Sequence, residues 1–172
     1  WDHRSVLLNV RWDGGWTRYR LPKASYTQDA DHGWYTEWPR IRRVAQDQYL
    51  LCMHGMFYRF PGQFTPRQTG GIKPLSRHLK MIVDFEAWQG GIAFACDDAS
   101  VMENPLCCQQ QSNLWFAAWD DLERLGSPAG WGGVYAHDAV RVGMPSEPFF
   151  VGGFDRRVLH LSHGDSHAVG FH

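Results

Sequence analysis

Long apolar runs are missing from this chain, and so is any excess of charge of one sign. The most apolar stretches, Leu50 to Met53 and Gly91 to Cys96, fall far short of the ~20 residues a membrane-spanning helix needs. The opening residues carry no signal-type apolar region. A membrane partner is therefore not expected. Lys and Arg number 17 against 18 Asp and Glu, for a formal net charge of −1. No basic stripe is present to track a phosphate backbone, so nucleic acid is not expected either. No G-x-G-x-x-G leads from a strand into a helix and no G-K-[ST] occurs, which removes the common nucleotide loops. The four cysteines, Cys52, Cys96, Cys107 and Cys108, lack the C-x2-C spacing of a metal site. Cys52 and Cys96 lie in apolar runs and read as small buried hydrophobes; the adjacent Cys107 and Cys108 read as loop thiols. Helical patterning is almost absent. Only Asp120 to Leu125 suggests a helical turn, and Gly126 with Pro128 stops it.

What the chain has in quantity is aromatics and turn residues. Nine Trp and 15% aromatic residues overall, with 18 Gly, are the types that fill pleated surfaces and tight reversals. At 172 residues the chain suits a single domain with a real core. It opens at Trp1 directly into the strand-like S-V-L-L-N-V, which reads as a fragment or processed piece of a longer protein.

Hairpin signals recur along the sequence. S-V-L-L-N-V-R-W, then Asp13, Gly14 and Gly15, then W-T-R-Y-R-L-P predict the first hairpin. R-I-R-R-V-A, Q-D and Q-Y-L-L-C-M-H-G predict a second, followed by the strand M-F-Y-R-F-P. L-K-M-I-V-D-F-E-A-W turns at Gly90 and Gly91 into I-A-F-A-C, with N-L-W-F-A-A-W after it. A fourth is expected from P-F-F-V-G-G-F, turning near Asp155 and Arg156 into V-L-H-L-S-H. The order strand, strand, strand, edge repeats between the reversals at Asp47, Gly90 and Asp155, at intervals of 43 and 65 residues, and a four-stranded unit recurring about every 40 to 50 residues is the mark of a propeller blade. The expectation is an all-β chain: one domain over residues 1–172, about three four-stranded antiparallel blades of a partial or assembled β-propeller. A β-sandwich is the rival fold. Three blades do not close a ring, so the remainder comes from a longer parent or from other copies of the chain.

The run D-H-G-W-Y-T-E-W-P-R-I-R, Asp31 to Arg42, concentrates polar and aromatic chemistry just before and inside the first strand of a blade. Glu37 is expected near the rim of the funnel, with Asp31, His32, Trp34, Trp38 and Arg40 around a substrate. Asp84 and Glu86 lie on the first strand of the next blade, and Glu147 precedes the last. Two carboxyl groups several Å apart are what glycoside hydrolysis needs, one as acid and one as base or nucleophile. Glu37 and Asp84 are the best pair. The competing reading is structural: Glu37 paired with Arg40 or Arg42, and Asp84 capping a turn or paired with Lys80.

Histidine offers a second chemistry. His54, in C-M-H-G-M-F-Y, ends a core strand, and a neutral imidazole there suits the proton abstraction of a uronate lyase, with Arg40 or Arg77 holding the acid group. The tail histidines His160, His163, His167 and His172 do not form a metal set, because residues three apart on a strand face opposite ways; no metal and no cofactor are expected. The loop Gly126 to Asp138 sets Trp131, Tyr135, His137 and Asp138 among glycines, which suits stacking and hydrogen bonding to a ligand.

Several runs, D-H-G-W-Y-T-E-W-P-R-I-R, H-G-M-F-Y, S-R-H-L-K, G-W-G-G and P-F-F-V-G-G-F-D-R-R-V-L-H-L, resemble segments of longer uncharacterised bacterial proteins. The chain is also similar in blade order to carbohydrate-active propellers. That likeness implies a carbohydrate partner, glycoside hydrolase-like chemistry or glycan binding, and work outside the cytoplasm. It carries over no catalytic residue, because fold alone does not fix function.

Overall fold

The computed structural model describes residues 1–24, 39–78, 80–98 and 113–171. The described chain is built from antiparallel sheets, with one helical turn and no helix long and apolar enough to cross a membrane. Strands β1 (Val6–Trp12) and β2 (Gly15–Leu21) form the first hairpin. Its tip, Asp13 and Gly14, takes positive φ at both residues, 49° and 78°. This is the type I′ arrangement, whose twist matches that of the strands it joins. Gly15, expected in the turn, is instead the first residue of β2.

The second sheet runs in sequence order through β3 (Arg40–Ala45), β4 (Gln48–Met53), β5 (Met56–Phe60) and β6 (Lys73–Arg77). The third holds β7 (Lys80–Trp88), β8 (Gly91–Asp98) and β9 (Asn113–Ala117). The reversals expected at Asp47 and Gly90 form. Strand β6 went unanticipated because Pro74 sits inside it. As the edge of its sheet it tolerates proline, and the ladder shifts register where Tyr58 meets Pro74. The helical turn α1 (Trp119–Leu122) begins one residue before the expected Asp120, with the Asp121 carboxylate accepting from the Ala118 N–H at 2.9 Å.

Alternation along β4 and β5 explains how the sheets stack. Leu50, Cys52 and Phe57 point to one face, where they meet Ile82, Phe85, Ile92, Phe94 and Cys96 of the third sheet. Leu51, Met53, Met56 and Tyr58 point to the other, against Val6 and Leu21 of the first hairpin. Period-two alternation normally separates a wet face from a dry one; here both sets are apolar, so the middle sheet is buried on both sides. Each such fully buried side chain stabilises the fold by roughly 1.5–3 kcal/mol relative to exposure. Strands β3 and β7, the first of their sheets, lie side by side.

The expected fourth hairpin does not form. Residues 148–163 hold no strand pair; their sole ladder contact is an isolated parallel bridge between Phe149 and Arg20 of β2. Phe150 and Phe154 contribute side chains to the core beside Tyr58, while Val158 and Leu159 stand 96% and 81% exposed. With no sheet face to cover, the apolar residues of this segment act as separate anchors or remain in water.

Candidate functional site

Asp31, His32, Trp34, Glu37 and Trp38 lie outside the described residues, so the site is built from the remaining candidates. Arg40 opens β3 and Asp84 sits in β7 beside a bulge that shifts the register between Ile82 and Asp84. Because β3 and β7 are neighbours, the two meet: Asp84 Oδ2 lies 3.0 Å from Arg42 Nη2 and 3.8 Å from Arg40 Nε. Its Oδ1 accepts the Phe85 N–H at 2.9 Å. The expected pairing of Asp84 with Lys80 is thus replaced by one with Arg42 and Arg40. Both pair members are part-exposed, so the bridge is a small stability term. Asp84→Asn is expected to shift unfolding by less than about 1 kcal/mol in chemical denaturation; a larger loss would make the pair a determinant of the fold.

Beside Arg40 opens a cleft of about 230 Å³ between the first and second sheets, walled by Leu8, Leu21, Ile41, Leu51 and Met53. Its described lining contains no carboxylate. It offers an apolar slot lined in part by Arg40, whose guanidinium lies beside Asp84 of β7.

His54 belongs to a different place. With Gly55 it forms the β4–β5 turn, again with both φ values positive, 44° and 75°. The ring is fully buried, meets the Trp1 indole edge-on at 5.4 Å, and neither nitrogen has a hydrogen-bond partner among the described residues. Burial, with the positive charges of the first amine and Lys23 nearby, pushes its pKa down to about 3. It is a neutral imidazole without access to solvent.

Trp131, His137 and Asp138 fall on one loop that is fastened to the first hairpin. Trp131 and Lys23 exchange two backbone hydrogen bonds, 2.8 and 2.9 Å. The glycines on either side permit that approach: a Cβ on Gly130 would stand 2.9 Å from Pro22 Cβ, and one on Gly132 2.8 Å from the Arg4 carbonyl. The Lys23 ammonium, itself fully buried, lies 4.6 Å from the centre of the Trp131 ring and donates to the Asp2 carbonyl at 3.2 Å. The indole remains half exposed, at 50%. Asp138 accepts from the Ala136 N–H at 2.8 Å and from Arg4 at 3.2 Å, and that backbone bond, with Arg4, holds its carboxyl below the usual range. His137 takes a φ of 61° and sits between these anchors.

Sequence reasoning missed the charges beneath this loop. Arg20, 1% exposed, is bound by Asp2 (3.0 Å), by the Ser5 hydroxyl (2.7 Å) and by Glu147. Burial raises the Asp2 pKa, but the hydrogen bonds from Arg20, Ser5 and Arg4 outweigh it and hold it at about 2. Glu147, expected on a blade's inner rim, therefore serves to tie the later chain to β2. Nothing in a Lys or Arg at a strand end signals this burial. No protein-family model, curated protein or solved structure matches the chain.

Proposed function

We propose that the chain supplies consecutive blades of a carbohydrate-binding β-propeller and acts as a binding module. Support for the blade reading comes from the middle sheet, a four-stranded meander covered on both faces by neighbouring sheets, with β3 beside β7. Blades stack this way around an axis. The observation that carries the binding reading is the Trp131 indole. It is held by two backbone hydrogen bonds and a cation beneath it, yet half its surface faces water. A rigid, open aromatic face suits the apolar face of a sugar ring, and pre-ordering it lowers the entropy lost on binding. His137 and Asp138 supply polar groups on the same loop.

Binding is favoured over hydrolysis or elimination because the described candidates are otherwise engaged. Asp84 has one oxygen on guanidinium groups and the other on a backbone N–H. His54 is enclosed. Titration of the chain against a soluble glycan panel tests the reading. Trp131→Ala is expected to weaken saccharide binding at least tenfold, and Trp131→Phe by less, with circular dichroism unchanged. Undiminished binding by Trp131→Ala would remove the indole from the site. Turnover of a glycoside substrate that disappears in Glu37→Gln would establish the hydrolase instead.

A further inference from the structure

We propose that the outward face of the third sheet is a docking surface for the β1–β2 hairpin of a second copy of this chain. The register assigns the face. Phe85, Phe94 and Trp115 form a cross-strand row that packs inward, so the next row, Glu86, Ala93 and Phe116, faces away, and on the other side of the inward row so do Asp84, Ala95 and Leu114. Leu114 is 64% and Phe116 57% exposed, and Trp88 and Val83 also stand open. Strand β9 thus presents large apolar side chains to water on the face where the middle sheet, at the corresponding strands, is covered.

The counterpart surface lies at the other end of the stack. On the first hairpin, Val6, Leu8 and Leu21 face the middle sheet, which leaves the rows Arg11 with Trp16, Asn9 with Arg18 and Leu7 with Arg20 on the other face; Arg20 is buried beneath Asp2, Ser5 and Glu147, so the open part of that face is the hairpin's tip. Trp16 is 69% exposed, and Arg11, Asn9 and Arg18 are exposed as well. Arg18 is paired with Glu147 at 3.4 Å, so Arg11 beside the Trp16 indole carries this face's charge; the face of the third sheet is apolar with the Glu86 carboxylate, and its Asp84 is held by Arg42 and Arg40. Their charges are complementary, which favours correct encounter and register. The direction matches too. Within one chain the first sheet stacks on the second and the second on the third, so the third of one copy against the first of the next continues the same head-to-tail order. Such heterologous contacts close into rings when the rotation permits.

The proposal rests on the blade reading above. Sedimentation velocity of the full chain across a concentration series, at low and high salt, tests it. Reversible association that weakens with salt is expected. Phe116→Asp should raise the dissociation constant at least tenfold, as loss of a central aromatic anchor does. Glu86→Arg and Arg11→Glu should each weaken self-association, and an equimolar mixture of the two should recover it, since one reversed face then meets the other. A chain that stays monomeric throughout, or association that Phe116→Asp leaves intact, overturns the proposal. Saccharide titration of the same samples separates the two readings. A monomeric chain that still binds saccharide removes the second copy and leaves the binding module, whereas association without saccharide binding does the reverse.

Discussion

Replacing Phe57 with alanine is expected to lower the unfolding free energy by about 3–5 kcal/mol, the cost of emptying a buried aromatic site. Phe57 is fully buried at the seam between the second and third sheets. Its ring lies 5.4 Å from that of Phe94, 6.2 Å from Trp115 and 4.4 Å from His78. Those partners come from β8, β9 and the end of β6, so the side chain joins separate strands rather than neighbours in sequence. Strands do not collapse easily into the void, because β5 is hydrogen-bonded on both sides. Domains of this kind are stable by only about 5–15 kcal/mol, so the loss takes a large share. Guanidinium unfolding followed by tryptophan fluorescence measures it. Phe57→Leu should cost less, and Phe116→Ala, on the open face of the same third sheet, should stay within about 0.5 kcal/mol. Equal effects at positions 57 and 116 would refute the packing described for this seam.

Acidification is expected to destabilise the fold well before the carboxylates titrate. Burial lowers the pKa of His78 to about 4 and that of His54 to about 3, against 6.5 for the ordinary side chain. Both are therefore neutral in the folded chain while the unfolded chain takes up protons below pH 6.5. The sign follows: stability is complete above 6.5 and falls with pH, until about 4 for His78 and about 3 for His54. Each histidine contributes a slope of up to about 1.4 kcal/mol per pH unit in its window. Asp2, with its pKa held down at about 2, adds a loss only at lower pH, as it departs from the ordinary 3.8. Denaturant midpoints measured from pH 7 to 4.5 show the effect. His78→Gln should reduce the slope by about half. A flat profile for the unsubstituted chain would mean that both imidazoles reach water.

The strands were legible in the sequence where alternation met a turn with its own chemistry. Asp13-Gly14 marks a reversal because both residues accept positive φ; the reversal expected at Gly90 and Gly91 forms one residue earlier, at Gln89 and Gly90, with Gly91 opening β8. At β4 and β5 the alternation was hidden, since both parities are apolar; Q-Y-L-L-C-M reads as a continuous run, the mark of a strand covered on both faces. Residues 148–163 misled for the opposite reason. Their apolar residues and glycines imitate a hairpin, but strand formation requires a partner edge or face, and only β2 offers a single bridge. The candidate site was less legible than the fold. Asp84 finds Arg42 because β3 lies beside β7, a lateral order that no local pattern encodes. Lys23 and Trp131 are far apart in sequence and meet only through the loop's path. The glycines on both sides of Trp131 read as room for a ligand or a sharp turn; in the structure they admit Pro22, Lys23 and the Arg4 carbonyl.

The tie between Arg20 and Glu147 spans 127 positions. At translation speeds of about 5–20 residues per second, β2 leaves the ribosome roughly ten seconds before its last neighbour exists. Throughout that interval the guanidinium has only its Asp2 and Ser5 partners, and the nascent hairpin keeps an open backbone edge. Vectorial synthesis thus makes the opening sheet the last to be finished, and any holdase that follows this chain should be found on its earliest strands.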